Sequence, residues 1–353
     1  MTVLKLGSLF DGIGVFPLAA VHCGMEPVWA SEIEARPISI TKRHFPDMLH
    51  LGDITKISGA EIPPVDVITF GSPCQDLSQI GTRNGFAGKK SSLFYQAMRI
   101  IEEMRYATNG RYPAFTVWEN VAGAFSSNDR LDFAAMLRAF TGAEVSVPPR
   151  GWAHAGMVRG GRADTAWRLL DAQYWGEPAL AQRRKRVFIV ADFAGQRAGE
   201  VLFKPRTVLP FSTISGPGGL SATQRGGVPA AQTGRQVPIV RPFSLRRMRT
   251  MAQVGDQKGF CASFGRGGEP FPTLLASVTA PFSFWYEGEE QDGFLRVLTP
   301  LECERLMGLP ENWTKYGCKN EEISDHARYR ALGNSIALPC AEYVMAGIAE
   351  VMN

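Results

Sequence analysis

The chain has 353 residues, 45% of them hydrophobic and 20% charged, and a formal net charge of +4. This composition is typical of a soluble globular protein with one large domain, or with a large and a small one. No apolar run approaches the ~20 residues that a membrane-spanning helix needs, which argues against a membrane protein.

The six cysteines are scattered along the chain and form no Cys-x-x-Cys pair. A disulfide framework or a zinc site is therefore not expected, and this usage fits a reducing compartment. Residues 1–10 carry a lysine within their apolar run and no small-residue cleavage pattern, so they do not predict a signal peptide. We expect a cytoplasmic protein with no metal site.

The first fifty residues alternate predicted strands and helices. In chain order these are a strand over residues 3–10, a helix over 18–24, a strand over 27–31, a helix over 36–44 and a short strand over 51–54. The turn after the first strand contains Gly12 and Gly14, as in a nucleotide-binding βαβ unit, but Val15 and Phe16 replace the third glycine of the dinucleotide pattern. Because many strand–helix turns need glycine only for backbone geometry, this turn alone is a weak signal.

Acidic residues follow the second strand and occur within the third. Glu32 can accept hydrogen bonds from both hydroxyls of a ribose, and Asp53 can accept one from an adenine amino group. Taken alone, Glu32 is equally well explained as a solvated acid at the end of a strand.

The fourth predicted strand, residues 65–70, leads into a cysteine. The strand ends in a Gly-Ser-Pro turn, which presents Cys74 at the carboxyl end of a strand, where open α/β sheets bind their ligands. Residues 76–90 are polar and glycine-rich, which predicts a mobile flap. Cys74 could therefore be a nucleophile beneath a closing lid. The alternative is that Cys74 is a small buried hydrophobic residue.

A carboxylate ends the fifth predicted strand, residues 114–118, which follows a helix predicted over 91–104. Since the carboxyl ends of parallel strands point the same way, Glu119 should lie on the same edge of the sheet as Cys74. A helix over 132–140 and strands over 166–174 and 186–191 complete this part of the chain. The basic run 182–186 leads directly into the last strand, so part of it must lie at the sheet edge.

The composition changes near residue 195. Residues 195–294 are rich in Gly, Pro, Ser, Thr and Arg and show no long amphipathic helix, which predicts a small, irregular, β-rich domain. Its basic residues outnumber its acids, as a nucleic-acid reader requires, although a merely solvated basic surface is the alternative. A capped helix is predicted over 299–308, a second strand-to-helix turn over 333–339 and a closing helix over 340–351. The predicted domains are residues 1–194, 195–294 and 295–353, the last returning to the first domain.

These motifs together resemble the DNA cytosine-5 methyltransferases of bacterial or phage type, over nearly the whole chain. The matching segments are Phe10-x-Gly12-x-Gly14, Pro73-Cys74-Gln75, Glu119-Asn120-Val121, Gln182-x-Arg184-x-Arg186, residues 296–310 and Gly333-Asn334-Ser335. The resemblance implies an α/β fold with a doubly wound, mostly parallel sheet, that of the class I (Rossmann-like) S-adenosylmethionine-dependent methyltransferases. A smaller target-recognition domain would accompany it. The chain departs from the family pattern at Asp11 and Val15, at Ile33, and in the long spacing between Gly176 and Gln182.

The resemblance also implies three sets of site residues and no metal. The catalytic residues would be Cys74, Glu119, Arg184 and Arg186. The contacts to S-adenosylmethionine would be Phe10, Asp11, Gly12, Gly14, Glu32, Ile33, Asp53, Ile54, Pro73, Leu93, Asn334 and Ser335. The DNA contacts would be Gln75, Ser78, Arg83, Lys89, Arg246, Arg247 and Arg249.

The implied reaction is methyl transfer from S-adenosylmethionine to C5 of a cytosine, with S-adenosylhomocysteine as the other product. Addition of the Cys74 thiolate to C6 would make C5 nucleophilic. Glu119, protonated or sharing a proton with N3, would neutralise the charge that develops, and Arg186 would hold O2 or the glutamate. The base must leave the duplex to react. We expect a monomer acting on duplex DNA, in some systems beside a cognate restriction endonuclease.

Four other functions fit parts of the pattern less well. A tRNA cytosine-5 methyltransferase would share the motifs, but the large basic region favours duplex DNA. A catalytically silent DNA-binding protein would not need Cys74, Glu119 and Arg186 together. A cysteine hydrolase needs a paired histidine, which no motif supplies, and a nicotinamide dehydrogenase needs the third glycine. The sequence does not predict which DNA site is recognised.

Overall fold

The computed structural model describes residues 3–72, 93–204, 239–242, 274, 283–287 and 295–353. Their contacts divide the chain into two compact units. The first consists of Met1–Leu170, Lys185–Pro205 and Cys340–Asn353, and the second of Asp171–Arg184 and Arg206–Pro339. The domain boundaries stated above from composition stay a prediction.

The first unit is built on an eight-stranded sheet. Its strands are β1 Lys5–Leu9, β2 Glu26–Ser31, β3 Leu49–His50, β4 Val67–Phe70, β5 Phe115–Val121, β6 Ala155–Arg159, β7 Asp164–Asp171 and β8 Lys185–Asp192. They lie in the order β3-β2-β1-β4-β5-β8-β7-β6. The pairs from β3 to β5 are parallel, whereas β8 runs antiparallel to β5 and β6 antiparallel to β7. The expected mostly parallel, doubly wound sheet is confirmed.

Helices connect these strands, as predicted. The described helices are α1 Val15–His22, α2 Ala35–His44, α3 Leu93–Ala107, α4 Leu131–Thr141, α5 Ala198–Leu202, α6 Pro300–Leu306, α7 Asp325–Asn334 and α8 Leu338–Met352. Most lie within three residues of their predicted bounds. The first starts earlier than predicted because Gly14 adopts a left-handed conformation directly before it and its carbonyl accepts from the amide of Leu18.

An aromatic cluster fixes the ends of β4 and β5. All four residues of β4 are buried, and the apolar side of α3 packs on the sheet. The ring of Phe94 lies 6.0 Å from that of Phe70 and 6.4 Å from that of Trp118. Burial of each such side chain contributes about 1.5–3 kcal/mol, so the two strand ends are held on a rigid base.

Three local predictions were wrong. The third strand is only Leu49–His50, because the Asp53 side chain accepts from the amide of Thr55 and starts a 3-10 turn instead. The strand β6 was not predicted, since its alternating exposed residues give little hydrophobic signal. Gly333 and Asn334 are the last residues of α7 and Ser335 caps it, so residues 333–335 join two helices and do not follow a strand.

Among the described residues, the second unit contains a three-stranded antiparallel sheet and the two short α-helices α6 and α7. Its strands are β9 Ile239–Pro242, β10 Ser283–Glu287 and β11 Leu295–Val297, in the order β11-β10-β9. The predicted cap of α6 is confirmed: Thr299 accepts from the amide of Glu302, whose carboxylate accepts from the amide of Thr299. A buried ion pair between Glu304 and Arg328 joins α6 to α7.

No single helix in the described ranges is long and apolar enough to cross a membrane. The helices α7 and α8 reach that length and hydropathy only when the bent pair is taken together. Within the same ranges, no three His, Cys, Asp or Glu side chains converge as metal ligands would.

Candidate active site

The segment that leaves β4 is tied to the end of β5. The indole Nε1 of Trp118 donates to Ser72 Oγ at 3.1 Å, and Asn120 Nδ2 donates to the Ser72 carbonyl at 2.7 Å. Ser72 is only 3% exposed. Because both bonds are buried, the course of the chain up to Ser72 is fixed beside β5.

Glu119 lies next to this segment within β5. Its carboxyl group is so close to the backbone of Gly71 that a Cβ on Gly71 would lie 3.2 Å from Glu119 Oε2. The position therefore needs glycine, or a shift of the carboxylate. Glu119 is 8% exposed and directly follows Trp118, which pairs with Phe70 at the end of β4. That it shares this sheet edge with Cys74 stays a prediction, because Cys74 lies outside the described residues.

Arg186 pairs with Glu119 from the neighbouring strand. Its Nε lies 3.0 Å from Glu119 Oε1, and its Nη1 donates to the carbonyl of Lys185 at 2.9 Å. In the antiparallel register Arg186 lies opposite Val121 and Phe188 opposite Glu119, so the pair is a diagonal contact on one face. The side chains are 14% and 10% exposed, which strengthens their attraction relative to a surface pair.

Asn120 has both ends of its amide engaged. While its Nδ2 binds Ser72, its Oδ1 accepts from the amide of Val121 at 2.9 Å. This residue thus joins the turn after β4 to the turn after β5. Cys74 and its neighbours Pro73, Gln75, Ser78, Arg83 and Lys89 lie outside the described residues.

The turn after β1 forms a second cluster of polar backbone groups. Phe10, Gly12 and Gly14 have left-handed backbones, with φ of 54°, 60° and 78°. The Glu32 carboxylate accepts from the amide of Gly12 at 3.0 Å and from the amides of Ile33 and Glu34 at 2.7 and 3.0 Å. Glu32 therefore holds the turn against the end of β2.

Open space adjoins this turn. A Cβ placed on Gly12 or on Gly52 would meet no described atom within 4 Å, and Ile33 is 72% exposed. Asp53 uses Oδ1 to bind the amide and hydroxyl of Thr55, and these bonds lower its pKa. Acceptors and an apolar side chain thus border an open region at the ends of β2 and β3.

Ile54 and Leu93 face the protein interior. The side chain of Ile54 is packed in the core, and Leu93 is packed partly against it. Direct contact of the Ile54 side chain with a ligand is therefore not supported, although its backbone adjoins Asp53.

Asp11 is the unusual residue of the turn. Both oxygens of its carboxyl group are buried and have no hydrogen-bond partner among the described residues. Burial raises its pKa to about 7, and the charge of Glu32 raises it too, whereas the nearby hydroxyls of Ser8 and Thr41 lower it. A carboxylate so placed is costly when ionised.

A strand-end glutamate paired with an arginine, a turn leading to a cysteine and an open glycine turn occur together on one sheet. The family model for C-5 cytosine-specific DNA methylase matches residues 4–206 and 243–350. The chain belongs to that family. The predicted family and enzyme class are therefore confirmed: this DNA methylase is of the cytosine-5 type.

Curated relatives and a solved structure agree with membership of this family. A protein of Escherichia phage P1 described as a DNA N-6-adenine-methyltransferase is 24% identical, and the alignment covers 98% of this chain but only 61% of that protein. The type II methyltransferase M.HhaI of Haemophilus parahaemolyticus is 23% identical over 100% of this chain and 96% of its own. The crystal structure of the S. pombe Dnmt2 methyltransferase has a TM-score of 0.61, with 16% identity and 99% coverage of both chains, and shows the shared fold.

In this DNA methylase the first arginine of the paired motif, Arg184, makes contacts different from those of Arg186. Arg184 is 1% exposed, and its guanidinium donates to the carbonyls of Leu274 and Gly333, both at 2.9 Å, and to that of Ser335. These bonds support a structural role for Arg184 in place of the catalytic role expected from the sequence.

The remaining predicted contacts of the methylase with the cofactor and with DNA belong to the second unit. Asn334 is exposed at the end of α7, and Ser335 is the residue that caps it. Arg246, Arg247 and Arg249 lie outside the described residues. Their predicted roles stay predictions.

The sequence did not indicate the bond from Trp118 to Ser72 or the contacts of Gln182. Trp118 directly precedes Glu119 and points to the opposite face of β5. Its place beside Glu119 was a signal for a hydrogen bond to the turn that follows β4. For Gln182 the motif offered a signal, but nothing in the chain identifies Leu274 as its partner.

Proposed function

We propose that this chain methylates C5 of a cytosine in duplex DNA, with Cys74 as nucleophile and Glu119 and Arg186 acting on the base. One observation carries the assignment: Ser72, two residues before Cys74, is hydrogen-bonded to residues on either side of Glu119. Two residues of extended chain span at most about 7 Å, and this short tether supports the proposal that Cys74 acts beside the glutamate.

The side chains divide the chemistry between them. The thiolate of Cys74 adds to C6, which raises the electron density at C5. After methylation of C5, loss of the C5 proton to a base or water and departure of the Cys74 thiolate from C6 restore the ring and free the enzyme. Glu119, with a proton held at or near N3, offsets the negative charge that develops in the ring. Arg186, at 3.0 Å from Glu119, orients that carboxyl group and reaches toward the base O2.

Two of the other described cysteines, Cys23 and Cys303, are poor substitutes for Cys74. Burial raises the pKa of the Cys23 thiol to about 11 and also raises that of Cys303. A thiol held neutral is a weak nucleophile. Cys340 is buried in α8, and Cys318 is exposed.

The turn after β1 suits S-adenosylmethionine, which supplies the electrophilic methyl group when bound. Glu32 would bind the ribose hydroxyls, Asp53 the adenine amino group and Ile33 the face of the adenine. The open space beside Gly12 and Gly52 supports this assignment, because a side chain at either position would fill it. The proposed contacts at Phe10, Asp11, Gly14, Ile54, Pro73, Leu93, Asn334 and Ser335 extend it.

Duplex DNA is the proposed substrate, and the flap of residues 76–90 would close over the flipped base. Gln75, Ser78, Arg83 and Lys89 would contact the target strand, and Arg246, Arg247 and Arg249 would read or hold the duplex. A monomeric cytoplasmic enzyme, with or without a cognate restriction endonuclease, is the proposed setting.

The experiment is methylation of duplex DNA followed by mass spectrometry of its nucleosides. We expect 5-methylcytosine with the wild type, none with Cys74→Ser, and wild-type amounts with the control Cys318→Ser. The same digest measures N6-methyladenine, which would favour the activity named for the phage relative, and a parallel reaction with tRNA tests the RNA alternative. Undiminished 5-methylcytosine with Cys74→Ser would refute the mechanism.

A further inference from the structure

Gln182 and Arg184 enclose the backbone of one residue, Leu274. The amide of Leu274 donates to Gln182 Oε1 at 3.4 Å, and its carbonyl accepts from Arg184 Nη1 at 2.9 Å. All three residues are buried and belong to the second unit. The two side chains thus bind Leu274 as a neighbouring strand would, through its amide and its carbonyl together.

The same two side chains also hold two other segments. Gln182 Nε2 donates to the carbonyl of Leu306 at 3.1 Å, at the end of α6. Arg184 Nη2 donates to the carbonyls of Gly333 and Ser335, where α7 ends. Three segments that are distant in sequence are therefore joined through one pair of side chains.

The backbone of Arg184 is fixed as well. Its amide donates to Asp171 Oδ1 at 3.0 Å, and its carbonyl accepts from the amide of Ala172 at 3.0 Å. The guanidinium therefore projects from a chain segment that cannot shift without breaking these bonds. A planar fork of fixed direction is what simultaneous binding of three carbonyls needs, and a lysine cannot reproduce it.

A buried guanidinium is expensive to desolvate, and its hydrogen bonds to neutral carbonyls offset only part of that cost. The guanidinium contributes a fixed arrangement of hydrogen bonds, which sets the position of Leu274 relative to Gly333 and Ser335. Leu274 lies in the region predicted to recognise DNA, and Ser335 in the segment predicted to contact the cofactor.

We propose that Gln182 and Arg184 are positioning residues that set the target-recognition segment at Leu274 and the cofactor segment at Gly333–Ser335 in one arrangement. Cofactor affinity and sequence preference then depend on the same two side chains. This inference rests on the proposed function, since it takes its two readouts from that function.

The test compares Arg184→Lys with the matched control Arg186→Lys. Calorimetry with S-adenosylhomocysteine, without DNA, gives the cofactor affinity, and bisulfite sequencing of genomic DNA from expressing cells gives the sequence preference. We expect Arg184→Lys to bind S-adenosylhomocysteine about tenfold more weakly and to methylate additional sites. Arg186→Lys should bind S-adenosylhomocysteine as the wild type does, and the sites that it still methylates, at a reduced level, should be those of the wild type.

Gln182→Met, which removes both hydrogen bonds with little change of volume, tests the proposal if Arg184→Lys does not fold. It should shift both readouts in the same direction, by about threefold in affinity. Lower thermal stability with unchanged affinity and unchanged sites in both variants would overturn the inference. A wild type that binds S-adenosylhomocysteine but forms no 5-methylcytosine would instead refute the proposed function and leave the affinity comparison standing.

Discussion

Arg184 and Arg186 lie two residues apart, but their guanidinium groups bind different kinds of partner. Arg186 lies 3.0 Å from a carboxylate, that of Glu119, within the first unit. Arg184 donates to the backbone carbonyls of Leu274, Gly333 and Ser335 within the second. A carboxylate can gain or lose a proton during a reaction, whereas a backbone carbonyl in a turn can only accept a hydrogen bond that holds its segment in position.

The division between the two units falls between these arginines, at Arg184 and Lys185. One short motif therefore supplies a guanidinium that pairs with the Glu119 carboxylate and a guanidinium that binds backbone carbonyls of the second unit. Residue type and spacing do not distinguish the proposed roles of the two arginines, whereas the partner that each guanidinium binds does distinguish them.

The largest expected effect tests the chemical side of this comparison. Glu119→Gln keeps the size of the side chain but removes its proton-carrying carboxyl group, so turnover should fall by roughly 10³–10⁴-fold, or about 4–5 kcal/mol. Single-turnover methylation of duplex DNA measures it. Because glutamine keeps the shape of residue 119 and can still accept a hydrogen bond from Arg186, thermal stability should change much less than turnover. A rate within threefold of the wild type would remove Glu119 from the chemistry.

The architectural side is tested by the stability of Arg184→Met. Loss of the guanidinium leaves buried carbonyls without donors, and we expect the free energy of unfolding to fall by about 3 kcal/mol. Urea denaturation without cofactor measures it, with Arg186→Lys as a control that should lose less than about 1 kcal/mol. Equal losses in the two variants would contradict the division of roles.

A third test compares two buried carboxyl groups, since Glu119 has an arginine partner and Asp11 has none. Burial raises the pKa of Asp11 from 3.8 to about 7, so the folded state binds the extra proton and loses stability as pH rises between those values. Asp11→Asn removes this loss of stability, because asparagine does not ionise. Its advantage over the wild type in urea denaturation should grow by about 2.5 kcal/mol from pH 5 to pH 8. The exposed control Asp47→Asn should show no such trend, and a pH-independent advantage at Asp11 would contradict the assignment.

The smallest expected effect concerns the bond that ties Ser72 to β5. Trp118→Phe removes the donor to Ser72 Oγ and should cost about 1 kcal/mol of stability. If the bond also positions the nucleophile, turnover should fall severalfold while the affinity for S-adenosylhomocysteine is kept. Ser72→Ala is the matched variant, and a double variant no worse than either single one would identify the shared bond.

Much of the first unit follows from sequence pattern. Alternation of short apolar runs with amphipathic segments predicted a mostly parallel sheet, and parallel strands place their ends on one edge, which brought Glu119 to the end of β4. Pattern failed where local bonds decide the backbone. Asp53 starts a 3-10 turn in place of a strand, and Gly333 ends a helix where a strand was expected.

The sequence by itself determined the family, the sheet, and the residue types available for a cysteine-based methyl transfer. These features depend on hydrophobic periodicity, which is local, and on the order of the motifs, which is read directly along the chain. Only the tertiary structure decided which arginine meets Glu119, that Gln182 and Arg184 hold Leu274, and that the Asp11 carboxyl group is buried with no ion-pair partner among the described residues. Those facts depend on contacts between residues far apart in sequence, and hydrogen bonds of that kind leave no periodic trace in the chain.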